Sequence, residues 1–127
     1  VALPAGPETV LTQARGGAGD HAAVWSARAE TIYVCSGDGT YNEVINGLHA
    51  DIPVGFIPGG GTSVLPRALG LPRDPARAAE RVAHGKLRRI ALGRVNGRRF
   101  AFNTGIGFDA GLVRRVGDYP LWDCVWL

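Results

Sequence analysis

Apolar positions recur with two periods along this chain, and the switches between them place its elements. Thr31-Ile32-Tyr33-Val34-Cys35 is a short apolar run rich in strand-forming types. Tyr41, Val44, Ile45 and Leu48 then fall at i, i+3, i+4 and i+7, one face of a helix. Thr40 and Glu43 have capping-box spacing, in which each side chain satisfies an orphan backbone donor at the helix start. Gly47 is placed to close that helix. A second buried strand is expected at Pro53-Val54-Gly55-Phe56-Ile57, running into the glycine turn Pro58–Ser63. Val64 to Leu69 then reads as helical, with Ser63 as its cap and Pro66 in its first turn.

The flanking segments are patterned as clearly. Asp74-Pro75 opens a helix with an Asp N-cap and proline at the first position. Ala78, Ala79, Val82 and Ala83 are expected inward, with Gly85 at the close. Two strands, Lys86–Val95 and Arg99–Asn103, flank Asn96-Gly97, the signature of a type I′ hairpin. Towards the start, Thr9–Thr12 is an extended candidate. His21–Ala29 is an alanine-rich helix candidate with Asp20 as N-cap and Val24 or Trp25 inward. Asp109 is expected to cap a helix over Ala110–Val116. Tyr119–Leu127, with Trp122 and Trp126, reads as a segment awaiting a partner surface.

Two strand–glycine loop–helix units in succession predict an α/β fold, a Rossmann-like layered parallel sheet with a hairpin near the C-terminal end. Ligands of such sheets bind outside the carboxyl ends of the strands, where both glycine loops would lie.

Composition narrows the class without redirecting it. The chain has 127 residues, 46% of them apolar and 20% charged, which fits one globular domain and excludes a disordered segment. It is large enough for a core. A net charge of +3 is a mild bias towards anionic partners. Cys35 and Cys124 are too few for a disulfide framework, so a reduced, cytoplasmic setting is expected. No apolar run approaches the roughly 20 residues that span a bilayer. Arg77, Arg81, Lys86, Arg88, Arg89, Arg94, Arg98 and Arg99 form a basic stretch. It reads as a solvated face, with attraction to anionic lipid headgroups as the sharper alternative. Nucleic acid is not expected, for want of interleaved aromatics and a recognisable module.

The candidate chemistry lies in Ser36-Gly37-Asp38-Gly39-Thr40. Unpaired N–H groups and the helix dipole at such a turn can hold a phosphate, and glycines let the backbone approach it. A plain strand-to-helix turn is the structural alternative. Gly-Asp-Gly-Thr followed by Tyr41-Asn42-Glu43-Val44-Ile45-Asn46-Gly47-Leu48 resembles the nucleotide loop of the diacylglycerol kinase catalytic-domain family, which includes sphingosine kinases and bacterial lipid kinases. Ser36 stands where the family has a glycine. The second loop, Pro58-Gly59-Gly60-Gly61-Thr62-Ser63, resembles the family block that precedes Arg67-Ala68-Leu69-Gly70-Leu71-Pro72. It lacks that block's Asn-Asp pair. Anchored on Arg67, the family threonine falls on Gly61, the asparagine on Ser63 and the aspartate on Val64; anchored instead on Gly61-Thr62, the segment is one residue short. Asn103-Thr104-Gly105-Ile106-Gly107-Phe108-Asp109-Ala110 resembles a third block, and Gly19-Asp20-His21-Ala22 a nucleotide-proximal turn, with Thr12 a further contact candidate.

The resemblance covers about Thr9 to Val116. It implies phosphoryl transfer from ATP, with Mg²⁺, to the hydroxyl of diacylglycerol or a related lipid. It implies nucleotide contacts at Ser36, Gly37, Asp38, Gly39, Thr40, Asn42, Gly60, Gly61 and Thr62. Asp38 is the residue expected to act on Mg²⁺, indirectly and through the nucleotide, because a carboxylate beside phosphates is repulsive unless a cation bridges them. Its structural alternative is to bond loop amides. The partners implied are ATP and a lipid at a membrane surface, with peripheral attachment to the inner face and a homodimer as further candidates. No residue here is expected to be the base for a lipid alcohol. The family's base is expected in a C-terminal β-sandwich domain that this chain lacks, so the chain reads as an incomplete nucleotide-binding lobe, inactive alone. Two alternatives remain: a nucleotide-binding pseudo-kinase module, and an NAD kinase-like enzyme, which shares Gly-Asp-Gly-Thr but not Asn42-Glu43.

Overall fold

A computed structural model describes residues 8–105 together with 107, 110 and 111. Its elements follow the order α1 (Gly17–Trp25), β1 (Ile32–Ser36), α2 (Asp38–Gly47), β2 (Val54–Pro58), α3 (Val64–Ala68), α4 (Pro75–Ala83), β3 (Gly93–Val95) and β4 (Arg98–Phe100). β1 and β2 pair in parallel, in register from Ile32 opposite Val54 to Ser36 opposite Pro58. The expected α/β arrangement is therefore present, with α2 as the crossover between the paired strands. Both glycine loops leave from the same end of this pair.

The core forms where the apolar faces meet. Tyr41, Val44 and Ile45 of α2 pack with Val34 of β1, Phe56 of β2, Leu65 of α3 and the two alanines Ala18 and Ala22 of α1. The rings of Tyr41 and Phe56 meet edge to face at 5.1 Å, the arrangement that sets a ring's positive edge on its neighbour's negative face. α4 is as expected: Asp74 Oδ1 accepts from the Arg77 N–H at 2.8 Å, and Ala78 is fully buried.

Several expectations are corrected. Thr9–Thr12 is exposed coil, not strand, which leaves Thr12 without a sheet to position it. α1 begins at Gly17, before the expected Asp20 cap, so Gly19-Asp20-His21-Ala22 is helix rather than turn. Gly16, in the left-handed conformation at φ 90°, ends the preceding chain, and its N–H donates to Glu43 Oε1 at 3.0 Å. Asp20 sits instead in the first turn, where a carboxylate complements the helix dipole. Ala18 and Ala22 face inward, whereas Val24 is 54% exposed.

The Thr40–Glu43 capping box does not form. α2 starts earlier, with Gly37 at its N-cap position and no side-chain cap. Thr40 is then already inside the helix, and Glu43 serves Gly16. Gly47 is the last residue of α2 rather than a left-handed terminator. Lys86–Leu92 is exposed and lies outside any strand, so the hairpin is shorter than its pattern. Its turn is as expected, with Asn96 at φ 47° and Gly97 at φ 80°. The Asp109 cap, the bulk of the Ala110–Val116 helix and the Trp122–Trp126 segment lie outside the described residues.

Candidate functional site

Two glycine loops are fastened together at the carboxyl ends of β1 and β2. The Ser36 carbonyl accepts the Gly59 N–H at 2.8 Å, extending the parallel pairing one step past the strands. Beyond it the loops touch backbone to backbone: a Cβ placed on Gly60 would lie 2.7 Å from the Gly37 Cα. Only glycine fits there without displacing the other loop.

Asp38 makes the third fastening. One carboxylate oxygen accepts the Val64 N–H at 2.9 Å and the other accepts the Leu65 N–H at 3.0 Å. Those are the first two residues of α3, whose own N-cap residue does not cap it. Ser63 is left-handed at φ 46°, and its hydroxyl donates to the Gly60 carbonyl at 3.1 Å. The expected Ser63 cap is thus replaced by a carboxylate from the other loop. Val64 contributes its backbone N–H to this contact.

Beneath the loops, the Tyr41 hydroxyl lies 2.5 Å from the carbonyl oxygens of Ser36 and Ile57, at the end of each strand. With one proton to donate, it holds the two strand ends at a fixed separation. Burial pushes the Tyr41 phenol up from 10.0 to about 12, and the negative charge of Asp38 adds to the rise. Sequence reasoning placed Tyr41 on the core face and missed its hydroxyl. The available signal was its position in the first turn of a helix following a glycine loop.

The other expected site residues divide into two groups. Ser36 Oγ donates to Thr40 Oγ1 at 2.8 Å, so both hydroxyls stand at the start of α2. Gly39 and Gly61 are exposed, with open space where a Cβ would be, and Thr62 is half-buried between Gly61 and Ser63. These residues, with Gly37, Asp38 and Gly60, are brought to one end of the sheet. The Asn42 side chain is not joined to them by a hydrogen bond among the described residues. Its side-chain oxygen accepts from Asn46 Nδ2 at 2.6 Å, one turn further along α2.

The electrostatics of the cluster are open at one helix and closed at the other. The first amides of α2 have neither an intrahelical acceptor nor a side-chain cap, which leaves donors and the positive end of a helix dipole at the loop. At α3 the corresponding amides are occupied by Asp38. Among the described residues, no three His, Cys, Asp or Glu side chains group closely enough to hold a metal.

Remote from the loops, the basic residues are largely solvated. Arg89 pairs with Asp51 at 2.8 Å in an exposed salt bridge, a type that contributes little. Arg99 differs: its guanidinium donates to the carbonyls of Asn46 and Leu48 at 3.1 and 2.7 Å, closing the C-terminal end of α2. No described helix is long and apolar enough to cross a membrane.

The family profile described as "Diacylglycerol kinase catalytic domain" matches residues 4–95. The chain is 46% identical over 111 residues to the diacylglycerol kinase of Bacillus subtilis (strain 168), covering 81% of this chain and 36% of that protein. It is 40% identical over 74 residues to the diacylglycerol kinase of Staphylococcus carnosus, covering 56% of this chain and 24% of that one. A crystal structure of a diacylglycerol kinase from Bacillus anthracis superposes with a TM-score of 0.67 at 29% identity, over 70% of this chain and 35% of that chain. This chain therefore spans between a quarter and a little over a third of the length of these relatives. With the profile match covering most of its length and the fastened glycine loops falling inside it, the chain belongs to the diacylglycerol kinase catalytic-domain family.

Proposed function

We propose that this chain is the nucleotide-binding lobe of an ATP-dependent lipid kinase, which transfers a phosphoryl group to the hydroxyl of diacylglycerol or a related lipid. The observation that supports it is the pair of glycine loops fastened at the carboxyl ends of adjacent parallel strands, beside the uncapped start of α2. Phosphoryl transfer asks a protein chiefly for positioning and for stabilisation of charge.

In this reading the backbone around Gly39, Thr40, Gly60 and Gly61 donates to phosphate oxygens, and the Ser36, Thr40 and Thr62 hydroxyls flank them. Gly37 and Gly60 keep the loops close enough to act on one ligand. Magnesium, bound with the nucleotide, offsets phosphate charge. Asp38 bears on it indirectly, because the amides of Val64 and Leu65 already occupy one acceptor position on each oxygen. The acceptor of the lipid hydroxyl's proton is proposed to come from outside these residues, so the chain alone binds nucleotide without turnover. The lipid is met at a membrane surface to which the protein attaches peripherally.

Calorimetry with Mg·ATP tests the reading on this chain and on Gly60→Ala. Saturable binding, weakened at least about tenfold when the loops are forced apart, is the expected result; such a loss corresponds to about 1.4 kcal/mol. Absence of binding by a folded chain overturns the claim that these residues form an ATP site. Phosphorylation of NAD rather than lipid by a longer form overturns the substrate class.

The missing Asn-Asp pair of the second loop favours a second reading, a module that binds nucleotide without catalysis. ATP binding without turnover, even by a longer form, would support it.

A further inference from the structure

We infer that Asp38 is a positioning residue, which holds the second glycine loop in place by capping α3 from outside and so makes the two loops one mechanical unit. Three observations carry this. The carboxylate is bidentate, with one oxygen on each of two successive amides, at 2.9 and 3.0 Å. Those amides belong to a five-residue helix with no cap of its own, because the Ser63 hydroxyl is turned back to Gly60. The same two loops also meet at Ser36–Gly59 and at Gly37–Gly60, so the carboxylate completes a three-point fastening.

A short helix with bare amides does not persist unaided, since nucleation is unfavourable and the early donors are orphaned. A charged acceptor satisfies two of those donors and sits favourably on the helix dipole. α3 in turn fixes where Gly59–Ser63 can lie. Asp38 therefore acts on any ligand of the second loop through Val64 and Leu65. Its consequence for ATP rests on the nucleotide reading above, whereas the clamp itself does not.

The test separates the two. In the ligand-free chain, hydrogen exchange at the Val64 and Leu65 amides is compared between the unmodified protein and Asp38→Asn. The amide replacement keeps the shape but sets an NH₂ against one of the two donors. At least about tenfold faster exchange at both amides is expected, following the loss of about 1.4 kcal/mol of local protection. Exchange within α4 should be unchanged. If Asp38→Asn does not fold, scalar coupling across the hydrogen bonds decides the matter in the unmodified chain, linking each amide nitrogen to the Asp38 carboxyl carbon.

The nucleotide arm is a magnesium titration of ATP binding. A positioning residue raises the Kd for ATP without moving the magnesium concentration of half-effect. A residue that holds the ion moves that midpoint. Unaltered exchange at Val64 and Leu65, or absence of coupling to Asp38, overturns the clamp. No ATP binding by the unmodified chain overturns the nucleotide reading alone.

Discussion

Gly19 of α1 and Gly47 of α2 face each other where the two helices cross, so closely that a Cβ on Gly47 would approach the Gly19 carbonyl carbon to 2.7 Å. The crossing fixes α1, and with Gly16 bonded to Glu43 it orders the chain ahead of the sheet. Gly47→Ala should force the helices apart, with the loss of about 1–3 kcal/mol that overpacking brings. Thermal unfolding should then fall by several degrees, while Gly17→Ala, which meets open space, should leave it nearly unchanged.

Tyr41 gives the fold a dependence on alkaline pH. Its phenol loses its proton near 10.0 in the unfolded chain and near 12 in the folded one. The folded state therefore retains a proton that the unfolded state has released. The stabilisation is fully present below pH 10 and is lost as the pH rises towards 12. Tyr41→Phe should flatten the fall in stability between those values. At neutral pH it should destabilise by about 1–3 kcal/mol, because the one hydroxyl shared by the Ser36 and Ile57 carbonyls is removed. Denaturant midpoints measured from pH 8 to 11.5 would show both effects.

Asp74 caps α4 through Arg77 at a site remote from the glycine loops. Asp74→Ala should lower stability by about 1 kcal/mol, the usual loss for such a cap. Nucleotide binding, where present, should be unaffected. A parallel change in ATP affinity would show that α4 is coupled to the loops.

Asn46 and Arg99 tie the hairpin to α2. The Asn46 side chain accepts the Arg99 N–H at 2.8 Å and donates to the Arg99 carbonyl at 2.9 Å, while the guanidinium returns to the carbonyls of α2. Asn46→Ala removes the bonds to the Arg99 backbone and Arg99→Ala those to the Asn46 and Leu48 carbonyls, so each should lower stability by about 1–3 kcal/mol. Urea denaturation of each variant measures the loss. An unchanged midpoint in both would mean that the hairpin is held by other contacts.

What could be read from the sequence was local. The α2 face, the Asp74-Pro75 start and the Asn96-Gly97 turn each depend on residues within one or two turns of one another. The glycine loops were legible for the same reason, since strand, loop and helix are contiguous. The errors arose where a polar side chain had a choice of partners. Glu43 had the spacing for Thr40 but bonds Gly16, which is 27 residues away. Asp38 had its own loop amides nearby but bonds those of Val64 and Leu65. The inward face of α1 was misjudged in part because a glycine contact at a helix crossing rewards small residues: Ala18 and Ala22 turn inward and Val24 outward, with Trp25 half-buried. No periodicity encodes these choices; they are decided by which elements the sheet brings together.

The Asn46 contact has a consequence for assembly. In a two-residue hairpin, Arg99 stands opposite Arg94 with its own N–H and C=O turned away from its partner strand. Those groups are what an edge strand offers to an incoming chain. A side-chain amide already completes them, acting as a single residue of an extra strand. At Arg99, β4 is therefore closed to β-augmentation, whether by a peptide or by a second copy of this chain. Any strand that widens this hairpin has to add along β3.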